Sequence, residues 1–124
     1  MRPMDSQVIG KSAEAAACHF LETKGLRLLE KNYHCFYGEI DLIMQDLDDV
    51  VFVEVRQRSS KDYGNALESI TKPKIKKLVK AATHFLQKKH WLYTINSRFD
   101  IIAIQASHGK TEVNWVKNAF WVDT

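Results

Sequence analysis

Residues 38–58, GEIDLIMQDLDDVVFVEVRQR, decide how the rest of the chain is read. Two apolar stretches flank the acidic turn Asp46-Leu47-Asp48-Asp49, the pattern of an antiparallel β-hairpin. Each carries a carboxylate where a strand would ordinarily place Val or Ile: Asp41 in the first, Glu54 in the second. Side chains alternate across a strand. Glu39, Asp41 and Ile43 are therefore expected on one face, with Ile40, Leu42 and Met44 on the other. In the second strand Val50, Phe52, Glu54 and Arg56 share a face, and Val51, Val53 and Val55 share its opposite. In-register pairing would set Asp41 beside Glu54, with Arg56 one step further along. Two carboxylates and a cation on one sheet face can receive a divalent metal and a phosphate. The same residues also fit a cross-strand ion-paired surface, with Asp41 facing Arg56 or Arg58 and Glu54 facing Arg56.

Outward from the hairpin, the flanking segments read as two helices and further strands. Ser12 to Lys24 is expected as a helix: Ser12 can cap it, the alanines favour it and Gly25 can end it. Residues 1–9 read as a flexible start. Glu14 shares the helix side of Ala17, Cys18 and Leu21. It can complement the helix dipole at the rim, or direct a carboxylate inward at a metal. Leu26 to Tyr33 is expected as a strand. The polar segment 59–69 reads as a loop beside the strand end that carries Glu54 and Arg56. Thr71 to about Lys89 shows an apolar stripe of Ile75, Leu78, Val79, Ala82, Phe85 and Leu86, with Pro73 in its first turn. Phe99 to Gln105 reads as a buried strand and Val113 to Val122 as an aromatic-rich edge strand. The whole is an α/β domain with a mixed sheet, of a size to fold as one unit (124 residues).

Charge is unevenly spread. The formal net charge is only +3, yet residues 69–99 contain no acid. That span carries Lys72, Lys74, Lys76, Lys77, Lys80, Lys88, Lys89 and Arg98. Solvated helices usually mix signs at i, i+4, whereas a face that follows phosphates does not. Lys72, Lys76 and Lys80 form a row at four-residue spacing, flanked by Lys74 and Lys77. Trp91, Tyr93, Trp115, Phe120 and Trp121 can stack on bases, although packing in the core or at the sheet edge is the better account of them. The two cysteines, Cys18 and Cys35, make no metal-binding spacing and read as reduced thiols; the five histidines form no zinc motif. No apolar run is long enough to span a bilayer and residues 1–12 lack a signal-peptide core, so a cytoplasmic location is expected.

The blocks GKSAEAAACHFLETKGLRLLEKN (10–32), GEIDLI (38–43), VFVEVRQRSS (51–60), YGNALESITKPKIKKLVKAATHFL (63–86) and RFDIIAI (98–104) together resemble the YraN-like family of small bacterial proteins. That family is similar to archaeal Holliday-junction resolvases, within the restriction-endonuclease-like superfamily whose sites follow a PD-(D/E)xK pattern. The resemblance implies an α-β-β-β-α-β core and a Mg²⁺- or Mn²⁺-dependent endonuclease acting on branched or structured DNA. Asp41 would be the motif's Asp and Glu54-Val55-Arg56 its (D/E)xK. Glu14 would match a first-helix glutamate completing the metal site. On this reading Asp41, Glu54 and Glu14 hold metal, Arg56 holds phosphate, and Arg58, Lys72, Lys74 and Lys76 bind the DNA backbone. Action on a two-fold junction would call for a homodimer. Two departures stand out. No proline precedes Asp41, and Arg56 occupies the lysine position. Arginine does not deprotonate in proteins and so cannot be a general base. That leaves a non-catalytic nucleic-acid-binding protein as the alternative. A protein whose basic helix docks an acidic partner is a third reading.

Overall fold

The computed structural model describes residues 6–58, 70–107 and 109–120. The elements are helix α1 (Ser6–Thr23), strands β1 (Arg27–Cys35), β2 (Gly38–Asp46) and β3 (Asp49–Arg58), helix α2 (Lys72–Lys88), and strands β4 (Ser97–Ser107) and β5 (Lys110–Val116). The five strands lie in the order β1-β2-β3-β4-β5. Pairing is antiparallel except between β3 and β4, which run parallel because α2 carries the chain back across the sheet. The α-β-β-β-α-β order is that of a restriction-endonuclease-like core, with β5 added at the edge.

One layer of core lies between α1 and the sheet, built from Ala13, Ala17, Cys18 and Leu21 against Leu42, Met44, Val51, Val53, Ile102 and Ile104. The other lies beneath α2, where Leu78, Ala81, Ala82, Phe85 and Leu86 meet Tyr33, Ile40, Ile43, Val50 and Phe52. Strands β3 and β4 are thus covered on both faces, which is why they read as nearly continuous apolar runs. Cys18 is buried and Cys35 half-buried, both as free thiols.

The helix ends follow from the sequence, with one correction. Thr71 caps α2, its Oγ accepting from the Lys74 N–H at 3.3 Å, and Pro73 sits in the first turn. Gly25 (φ +96°) closes α1: Leu26 N–H donates to Leu21 O (3.1 Å) and Gly25 N–H to Glu22 O (3.0 Å), and Leu26 packs into the same core as Leu21. The start of α1 lies earlier than expected. The helix begins at Ser6, so Ser12 is an exposed mid-helix residue and not its cap, and residues 6–9 belong to the helix. An exposed Ser costs a helix interior little, so it cannot force a boundary. Strand β5 is shorter than expected: it ends at Val116, before a turn at Lys117–Asn118 in which Asn118 adopts φ +55°. No helix among the described residues is long and apolar enough to cross a membrane.

Candidate carboxylate site at the sheet end

Alternation breaks in β2 at Asp41. Ile40 and Ile43 both face α2, while Leu42 and Met44 face α1. The expected shared face of Ile40 with Leu42 and Met44 is therefore corrected. The neighbouring strand is irregular at the same level. Asn32, between the pairs Lys31↔Leu42 and Tyr33↔Ile40, takes a left-handed backbone (φ +49°). A residue of that kind reverses which face the following side chains point to. The β2–β3 ladder also stops at Leu42↔Val53. Beyond it, Asp41 Oδ2 accepts the Val55 N–H at 2.9 Å. A side-chain oxygen thus satisfies a backbone donor where the ladder has ended.

Glu54 lies beside this break and is buried, with 8% of its surface exposed. It projects to the α2 side in line with Val50 and Phe52, as alternation predicts. Burial, and then the Asp41 charge, push its pKa up to about 7; Lys74 and Arg56 oppose that rise. Burial also raises Asp41, with the Val55 hydrogen bond as the chief opposing influence. Glu14 is raised by partial burial and then by Asp41 and Glu39. Asp41 is thus the middle member of a row of three acids from α1, β2 and β3. Among the described residues no three His, Cys, Asp or Glu side chains are gathered so as to hold an ion.

Two cations face Glu54. Arg56 Nε lies 3.9 Å from Glu54 Oε1, and Lys74 Nζ lies 4.0 Å from Oε2. Both separations exceed ordinary hydrogen-bond length, and Arg56 Nε is a buried donor without a partner among the described residues. Lys74 reaches the site because it continues the inward row of Leu78, Ala81 and Phe85 in the first turn of α2. Lys72 and Lys76, expected alongside it, are exposed on the outer side of the helix. Helical spacing therefore separates Lys74 from the lysines with which it was grouped. The Arg58 side chain lies outside the described residues, as do the loop 59–69 and Trp121. The other aromatics mostly pack: Trp91 against Phe85 (6.0 Å between ring centres), Phe120 on Phe99 (4.9 Å) and Trp115 against Phe20 (6.1 Å), while Tyr93 is exposed.

A second polar group, one residue from Glu54 along the β3–β4 ladder, was not singled out in the sequence. Asp100 is fully buried. Its carboxylate accepts from Arg98 Nε (3.1 Å), Trp115 Nε1 (2.9 Å) and the Asn118 N–H (3.0 Å), while the Arg98 guanidinium also pairs with Asp46 at 2.9 Å. Every buried oxygen there is engaged, which marks a structural fastening. Alternating Arg98 and Asp100 at the start of an apolar strand was the available signal.

Comparison with known proteins places the chain. Residues 13–104 match the family model described as "Uncharacterised protein family UPF0102". A UPF0102 protein of Nitrosococcus oceani is 42% identical over the full length of both chains. One from Stutzerimonas stutzeri is 49% identical over 94% of this chain and 97% of its own. One from Pseudomonas putida is 50% identical over 90% of each. This chain belongs to the UPF0102 (YraN) family.

Proposed function

We propose that the protein is a metal-dependent endonuclease that hydrolyses phosphodiester bonds in branched or otherwise structured DNA. The observation that carries this reading is the pairing of buried Glu54 with half-buried Asp41, two carboxylates whose charges are not fully balanced. Burying like charges side by side is costly, and a fold that needed only stability would place apolar residues there. The donor chemistry fits Mg²⁺ or Mn²⁺, which take one or two protein carboxylates and complete their shells with water and phosphate. Asp41 and Glu54 would hold the ion, with Glu14 bearing on Asp41 from α1. When bound, the ion supplies a water of lowered pKa and neutralises charge at the scissile phosphate.

The chain's own residues account for the rest. The Val55 N–H fixes the Asp41 carboxylate in position. Arg56, whose buried Nε has no partner among the described residues, binds a phosphate oxygen, a task suited to a planar guanidinium. Lys74 provides from α2 the single ammonium that Arg56 cannot imitate; it holds the attacking water or a non-bridging oxygen. Lys72, Lys76 and Arg58 attract the DNA backbone, so binding weakens as salt rises. Action on a two-fold junction requires two copies of the chain.

One observation favours a second reading. Arg56 stands where a lysine is expected, which suits a protein that binds nucleic acid without cutting it. Incubation with fluorescent four-way junction, flap, single-stranded and duplex DNA, in Mg²⁺, Mn²⁺ or EDTA, separates the two. Metal-dependent cutting that an Asp41→Asn/Glu54→Gln double variant lacks supports the nuclease. Gel-shifted DNA left intact under both metals supports the binding protein.

A further inference from the structure

The turn between β1 and β2 is Phe36-Tyr37, closed by the pair Cys35↔Gly38. Two-residue hairpin loops favour Asn and Gly, so neither ring is there for the sake of the turn. Phe36 is 97% exposed and Tyr37 45%. The rings meet edge to face at 5.6 Å between centres. Gly38 (φ +154°) brings the turn against α2, where a β-carbon on it would lie 3.6 Å from Lys77 Cβ. Tyr37 consequently stands over the outer face of α2, with Lys80 Nζ 6.0 Å from its ring centre and His84 at 6.3 Å. Tyr37, Val79, Lys80, Thr83, His84 and Gln87 line an open cleft of about 370 Å³. Glu39, the acid next to this turn, faces His34 at 3.7 Å.

One exposed aromatic ring is unremarkable on a protein surface. Two adjacent rings beside an acid-free lysine face combine the elements that bind single strands: a positive track for phosphates and π-faces for bases. We propose that Phe36 and Tyr37 form a base-stacking platform for unpaired nucleotides, whose phosphates run along Lys72, Lys76 and Lys80. This rests on the nucleic-acid reading above and specifies it. The preferred substrate has single-stranded character next to the cutting site, as at a flap or an open junction.

The test is fluorescence anisotropy of the full chain with a labelled oligothymidylate of about 15 nucleotides, long enough for a single-domain site, and with a labelled duplex. Phe36→Ala/Tyr37→Ala is expected to weaken single-strand binding by about tenfold or more and to leave duplex binding within about twofold. Phe36→Trp/Tyr37→Phe is expected to keep both. Circular dichroism and thermal melting establish that the variants are folded. Equal single-strand affinity in wild type and the alanine variant overturns the platform while leaving the nuclease reading intact. Phe36-dependent oligonucleotide binding by a wild type that cuts no DNA supports the platform and sinks the nuclease. A wild type that ignores the oligonucleotide but binds a labelled polyglutamate peptide overturns it in favour of an acidic protein partner.

Discussion

Asp41 accepts the Val55 N–H at 2.9 Å, beyond the last paired residues of β2 and β3. The same carboxylate therefore ends a ladder and faces Glu54. These two duties can be separated by substitution. Asn retains an acceptor oxygen and loses the charge; Ala loses both. Asp41→Ala should cost about 1–3 kcal/mol, the usual penalty of a buried donor left unpaired. Asp41→Asn should match or exceed the wild type at neutral pH. Urea unfolding of both variants decides this, and equal destabilisation would mean that the charge itself is structural.

Glu54 makes stability depend on pH. Its pKa lies at about 7 in the folded protein against 4.5 in a free side chain. The folded state thus holds this proton more tightly than the unfolded chain. The contribution is complete below about pH 4.5 and lost as pH rises through 7. The loss is on the order of 3 kcal/mol by the standard conversion. Glu54→Gln should flatten this part of the profile and melt at a higher temperature than wild type at pH 8. Thermal melts across pH 4.5–8 would refute the assignment if the two profiles ran parallel.

Divalent metal should reverse that cost without any substrate. At tenfold its dissociation constant, Mg²⁺ or Mn²⁺ should add about 1.4 kcal/mol of stability, a few degrees in the melting temperature. The shift should vanish in Glu54→Gln and in Asp41→Asn and survive in Lys76→Ala. Differential scanning fluorimetry with and without EDTA reads it directly. An undiminished shift in both carboxylate variants would locate the ion elsewhere.

Asp100 should behave in the opposite way to Glu54. It balances Arg98 and accepts from Trp115 and Asn118. Asp100→Asn leaves the guanidinium poorly matched and turns an amide N–H toward donors, so a loss of about 3–5 kcal/mol is expected. Chemical denaturation monitored by tryptophan fluorescence would show it. A neutral result would indicate that water or Asp46 compensates Arg98.

Much of this was legible in the sequence. The two-residue period of 38–58 identified the hairpin and the face that Glu54 shares with Val50 and Phe52, because regular strands preserve that period. The apolar stripe of α2 was equally clear, as was the end of α1 at Gly25. What escaped was whatever interrupts a period. The turning-over of Asp41 coincides with the left-handed backbone at Asn32 on the neighbouring strand, so it could not be seen from residues 38–46 alone. Lys74 looked like one of a set of lysines, yet its spacing from Leu78, Ala81 and Phe85 puts it in the inward row that meets Glu54. Asp100 looked like a strand start because its three partners come from positions 98, 115 and 118.

Strand β4 raises a problem of alignment that Asp100 solves. Ile101, Ile102, Ala103 and Ile104 are buried on both faces of the sheet, so a shift by one residue along β3 would still bury apolar side chains on each side. A strand with no alternation carries no internal mark of its own register. In the observed register Asp100 lies opposite Val53, the position from which it meets the Trp115 indole and the Asn118 N–H. Slipped by one, the carboxylate would turn toward the α2 layer and lose both. The chain returning from α2 is thereby given one berth in which to dock, and the parallel ladder beside Glu54 inherits its alignment from the neighbouring pair.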